Sequence, residues 1–181
     1  MSRLIGVIRA QAGHTLIELL TVMLILGTVL GGLTTIFVQG TNAELDLNLR
    51  FQAQQSAGSA LRRIRNEVHC ASSITPVGAT ASITLTLPSQ CSGGGGTVTW
   101  CTSGSGTRYT LYRQSGSTCG SSGELVADYL TTGTIFTYTG SITGTSLAKL
   151  HVDFPVNVLP ARSVLQYRLA DDIVLRNSSR A

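Results

Sequence analysis

A chain of 181 residues with one long apolar run near its start leaves room, once about 40 residues are set aside for that run and the segment before it, for a single modest domain with its own core. The formal charge is +4 and the pI near 9.1, but two of the 13 basic residues, Arg3 and Arg9, precede the apolar run. Without them 11 basic residues stand against 9 acidic ones, a near balance in which the basic patch that nucleic-acid binding needs is not evident.

Residues 1–13, MSRLIGVIRAQAG, are short, basic and end in small residues, the composition of a targeting leader that is removed from the mature chain. From Leu16 to Val38 run 23 residues whose only charge is Glu18. At about 1.5 Å per residue they cross a hydrocarbon core of about 30 Å, so 14–38 read as a transmembrane helix. A core helix of a globular domain would carry a polar face, and this run has only scattered threonines. An ordinary secretory signal would have an apolar region of about 7 to 15 residues followed by a small-residue cleavage site, and this span is too long. Arg3 and Arg9 precede the span while no Lys or Arg occurs from Ala10 to Leu49, which by the positive-inside rule keeps the N-terminus in the cytoplasm and carries the rest outward, single-pass.

Glu18 is the informative residue. An ionised group inside a bilayer costs about 2.5 to 3.5 kcal/mol on insertion scales. Two readings follow: a carboxylate at the membrane surface favoured by the positive end of the helix dipole, or a charge that meets a partner within an assembly.

Gly13-His14-Thr15-Leu16-Ile17-Glu18-Leu19-Leu20, with a basic leader before it and an apolar run after it, resembles the signal of type IV prepilins and type II secretion pseudopilins. The resemblance implies that a prepilin peptidase cuts after Gly13 on the cytoplasmic side and methylates His14. It also implies that Glu18 neutralises the free amine of a neighbouring subunit during assembly. The family usually begins its mature chain with Phe or Met, and His14 departs from that. The pairing has a physical basis of its own, because a cut at Gly13 creates an α-amine with a pKa near 7.7 to 8.0, largely cationic at neutral pH. In a low-dielectric setting that charge and the carboxylate attract strongly.

No proline occurs before Pro76, and the residues after the span are rich in helix formers, so the helix is expected to continue outward over 39–72. Ala57, Leu61, Ile64, Val68 and Ala71 recur at three- and four-residue spacing, with Arg62, Arg63, Arg65 and Glu67 mostly elsewhere around the wheel, which makes this half amphipathic. Gly27 and Gly31 form one GxxxG pair, a place where another helix can approach closely.

Beyond Ile74 the period changes to two. Ile83 to Leu87, Thr97 to Cys101 and Tyr109 to Arg113 alternate apolar with polar residues as half-buried antiparallel strands do, and Ile135 to Tyr138, Leu147 to Phe154 and Val164 to Arg176 are further candidates. Ser92 to Gly96, Ser103 to Gly106 and Ser115 to Gly123 read as turns or loops. The Gly93 to Gly96 run lacks the Gly-Lys-Ser/Thr of a phosphate loop. The fold class is thus α+β, a long N-terminal helix packed on an antiparallel β-rich domain over 73–181, which is pilin-like.

Ala60-Leu61-Arg62-Arg63-Ile64-Arg65, Tyr109-Thr110-Leu111-Tyr112-Arg113-Gln114 and Ile173-Val174-Leu175-Arg176-Asn177 are similar to stretches of J-type minor pseudopilins and PilW-like minor pilins. Major subunits of the family carry a helix-breaking proline in the span and this chain has none, which favours a minor component.

Cys70, Cys91, Cys101 and Cys119 all lie in the exported part, and an even count in an oxidising compartment suggests two disulfides with three possible connectivities. Cys70 with Cys91 and Cys101 with Cys119 close the shortest loops and are the expected pairs. A zinc site is disfavoured because no CxxC spacing exists. His69 and Cys70 point in different directions on a helix and do not make a nucleophile pair. Asp171 and Asp172, with Asp153 or Glu124, offer calcium-type ligands but no loop of alternating acids, so solvated strand-end charges are the plainer reading. Trp100, Tyr109 and Tyr112 serve either as core and cross-strand pairs or as an exposed ligand surface.

No cofactor, no metal and no catalytic set is expected. The resemblance implies a structural subunit of a type IV pilus or type II secretion pseudopilus, in a tip or priming complex. Its partners are other pilin or pseudopilin subunits, the prepilin peptidase, the inner-membrane assembly platform and the lipid bilayer, with nucleic acid a partner only in a DNA-uptake pilus. The alternative is a membrane-anchored binding module, an adhesin or DNA-uptake receptor.

Overall fold

The computed structural model describes residues 15–91, 95–141, 146–159 and 166–177. A single helix, α1 (Leu16–Cys70), is followed by nine strands: β1 (Ser73–Thr75), β2 (Gly78–Thr80), β3 (Ser82–Leu87), β4 (Gly96–Ser105), β5 (Arg108–Ser115), β6 (Glu124–Leu130), β7 (Phe136–Thr139), β8 (Lys149–Val156) and β9 (Tyr167–Val174). The architecture is α+β and pilin-like in its element order. Two compact units divide between Leu45 and Asp46.

In the first unit α1 is apolar on every side. Leu16 is 80% exposed and Phe37 71%, and the helix is long and apolar enough to cross a membrane. Its threonines do not break that character. The hydroxyls of Thr21, Thr28, Thr34 and Thr35 donate to the carbonyls of Glu18, Ile25, Leu30 and Gly31 at 2.7 to 2.9 Å, so each polar group is satisfied within the helix.

In the second unit every pairing in the sheet is antiparallel, and the order is β1-β3-β4-β5-β6-β8-β7-β2, with β9 joined to the other side of β8. β1 and β2 follow each other in the chain yet end opposite sides of that path, so the sheet curls until one short bent segment joins both of its ends. The outer half of α1 packs into the curl through Ala53, Ala57, Ala60, Leu61, Ile64 and Val68, all buried. Opposite them lie Ile83, Leu85, Trp100, Leu111, Phe136, Leu150, Phe154 and Ile173, also buried.

Several elements depart from the sequence reading. Of the Ser103 to Gly106 stretch only Gly106 is in a turn, since β4 continues to Ser105 and pairs with Arg108, leaving a two-residue turn at Gly106 and Thr107. Gly106 sits at φ +63°, and Gly104 lies so close to the Arg108 carbonyl that a Cβ has no room there. β6 is not legible in the sequence, because two register shifts against β5 break the alternation by which a strand is read. β5 includes Ser115, which sequence assigned to a loop. β9 is shorter than the Val164 to Arg176 stretch, of which 164 and 165 lie outside the described residues, as do 92–94 of the Ser92 to Gly96 loop.

Candidate functional site

The candidate site is the start of α1. Thr15 precedes the helix, and its carbonyl accepts hydrogen bonds from the Glu18 and Leu19 amides at 3.0 and 3.3 Å. Glu18 therefore stands in the first turn, an exposed acid ahead of an exposed apolar surface. The helix dipole favours a negative charge there. Gly13 and His14 lie outside the described residues.

The opposite end of α1 is held by charge and hydrogen bonds within the second unit. Glu67, which the sequence wheel placed mostly off the apolar face, is buried on it: its Oε2 accepts from Trp100 Nε1 and its Oε1 from Arg113 Nε, both at 2.7 Å. A carboxylate can be buried because a guanidinium and an indole donor, on paired positions of β4 and β5, both aim at it. Wheel position alone could not show this, since both partners are more than 30 residues away in sequence. Nearer the surface Arg63 makes a two-pronged bond to Glu124 at 2.6 and 2.7 Å, and Arg65 reaches Asp171 at 2.6 Å.

Disulfides join Cys70 to Cys91 and Cys101 to Cys119. The first ties the last helical residue to the chain after β3. The Cys70 carbonyl also accepts from the Asn177 side chain at 3.0 Å, and His69 Nδ1 lies 3.1 Å from the Val174 carbonyl, so the end of β9 is fastened to the end of the helix.

The other singled-out residues separate. Trp100 is core, and β4–β5 pairing sets it opposite Arg113, not Tyr112. The four acids considered for calcium do not converge. Asp153 binds Arg168, Asp171 binds Arg65, Asp172 binds Lys149 and His151, and Glu124 binds Arg63. Among the described residues no group of three metal-ligating side chains occurs.

The Arg63 fork pulls Glu124 below the usual carboxylate range, and hydrogen bonds from His151 and then Lys149 do the same for Asp172. Carboxyls with a lowered folded pKa stabilise above their unfolded pKa and cease to as pH falls through the folded value. The thermal midpoint of the full chain should thus stay level from about pH 7 to 5 and decline below about pH 4. Glu124→Gln should soften that decline slightly, since the pair is exposed and surface pairs contribute little. A midpoint unchanged down to about pH 2 would contradict it.

Residues 8–34 match the family model described as the prokaryotic N-terminal methylation motif. No curated protein and no solved structure matches the chain. The motif covers the stretch in which Glu18 opens the apolar helix, and later in the chain a curled antiparallel sheet follows. The chain carries a type IV pilin-like prepilin signal, which implies processing by a prepilin peptidase and assembly with other pilins, and the signal together with that helix and sheet supports a type IV pilin- or pseudopilin-like protein.

Proposed function

We propose that the chain is a minor pilin or pseudopilin, a structural and non-enzymatic subunit that joins other minor subunits in a tip or priming complex. It is cut after Gly13, methylated at His14, and held single-pass in the inner membrane with its N-terminus cytoplasmic and its sheet domain outside. The observation that carries this reading is the lone carboxylate in the first turn of a helix apolar on all sides, within the methylation motif. Glu18 draws the amine of a neighbouring subunit, and that pairing sets the register in which the helices leave the bilayer and bundle. The unbroken span, with no proline from Leu16 to Cys70, supports the minor assignment.

Mass analysis of the chain recovered from membranes and from sheared filaments tests it. The expected N-terminus is a methylated His14, with other pilin-like subunits copurifying in small, fixed proportion. An intact Met1 terminus in both fractions would overturn the reading.

A further inference from the structure

Among the described residues the long edge of the sheet is β9, eight residues paired on one side only. On the β8 side, Asp153 N donates to the Ile135 carbonyl and the Pro155 carbonyl accepts from Thr131 N, both pointing away from β9. Ala170 and Arg168, their partners across the ladder, are therefore the non-hydrogen-bonded kind, and their own N–H and C=O groups point outward; Asp172 has the same parity. Val174, next in that series, has its carbonyl taken by His69. Among the described residues nothing takes the main-chain groups of Arg168, Ala170 and Asp172.

The side chains show the same gap. On β8 the inward residues Val152, Phe154 and Val156 are fully buried, while Leu169 and Tyr167, which face inward from β9, are only half-buried. Among the described residues the cover is thinnest at the start of β9, away from the end that Arg65 and His69 close. Apolar surface left half-covered beside unsatisfied backbone is what an added strand would complete.

We propose that the outer edge of β9 over Arg168–Asp172 receives an extended strand from the domain of a different pilin-like subunit. That strand hydrogen-bonds Arg168, Ala170 and Asp172 and lays apolar side chains over Tyr167 and Leu169. Arg168 and Asp172 keep their partners on β8, Asp153 for the first and Lys149 with His151 for the second, so the added strand meets charges that are already paired. This deepens the subunit reading and rests on it.

The test compares Ala170→Pro with Ala170→Val in the full chain. Proline at 170 removes an N–H that β8 does not use, so the fold tolerates it, but an added strand loses that bond and meets the ring. Ala170→Pro should lower copurification with other pilin-like subunits, and entry into filaments, by about tenfold or more, while Ala170→Val keeps both. In the unsubstituted chain, amide exchange at residues 168, 170 and 172 should be fast in detergent alone and slow in the assembly. Should Ala170→Pro fail to fold, the exchange comparison decides.

Fast exchange at those amides within the assembly overturns the proposal. So does protection that appears in the purified chain alone on raising its concentration, which would assign the edge to a second copy. If the unsubstituted chain never enters an assembly, the subunit reading has failed. If it enters and Ala170→Pro enters equally well, only the edge assignment has failed.

Discussion

Glu67→Ala will cost the sheet domain about 3 kcal/mol or more, because it removes one carboxylate and strands two buried donors. The side chains of Glu67 and Arg113 are 10% and 18% exposed, so little water replaces the lost partner. Trp100 Nε1 loses its acceptor inside a fully buried ring. For a domain of this size the thermal midpoint should fall by about 10 °C. Glu67→Gln should cost less, since an amide oxygen still accepts from Trp100 while the guanidinium goes uncompensated. Pairing Glu67→Met with Arg113→Met should recover the part of the loss that comes from the uncompensated guanidinium, while Trp100 Nε1 still lacks its acceptor. Glu124→Ala provides the contrast, removing an exposed pair at a cost below about 1 kcal/mol. Thermal melts of the full chain in detergent would measure all four. Equal losses from Glu67→Ala and Glu124→Ala would show that burial of the first pair does not matter.

Glu18→Ala should leave processing intact and abolish most filament entry. Cleavage is proposed to need the leader and Gly13, which the substitution leaves unchanged, and assembly to need the charge. Removing one partner of a desolvated pair costs about 2 to 5 kcal/mol, so incorporation should fall at least about thirtyfold. The membrane side of the balance acts in the same direction, because an alanine in the span avoids the about 2.5 to 3.5 kcal/mol that an acid costs there and the unassembled form becomes more comfortable in lipid. The variant should therefore collect in membranes with His14 as its first residue. Glu18→Asp, one methylene shorter, should enter filaments at an intermediate level. Quantitative mass spectrometry of sheared filaments against membranes reads the ratio, and normal incorporation of Glu18→Ala would count against the pairing.

How far each part was legible follows from the range of the interactions behind it. The apolar helix, Glu18 in its first turn and the amphipathic stripe of Ala57, Leu61, Ile64 and Val68 depend on local composition and a 3.6-residue period, and the structure has all of them on α1. β3 and the start of β4 showed through clean alternation. β6 did not, because its bulges against β5 shift the face of successive residues, and bulges are a property of a strand pair.

Within residues 14–38, then, the sequence alone determined a membrane-type helix headed by one acid, since length, hydropathy and charge position are all local quantities. Only the tertiary structure decided that Glu67 is buried between Trp100 and Arg113, that β1 and β2 close opposite ends of one curled sheet, and that β9 pairs on one side only among the described residues. Each of these needs residues far apart in the chain to meet, and which of them meet is settled by packing and by the satisfaction of buried polar groups.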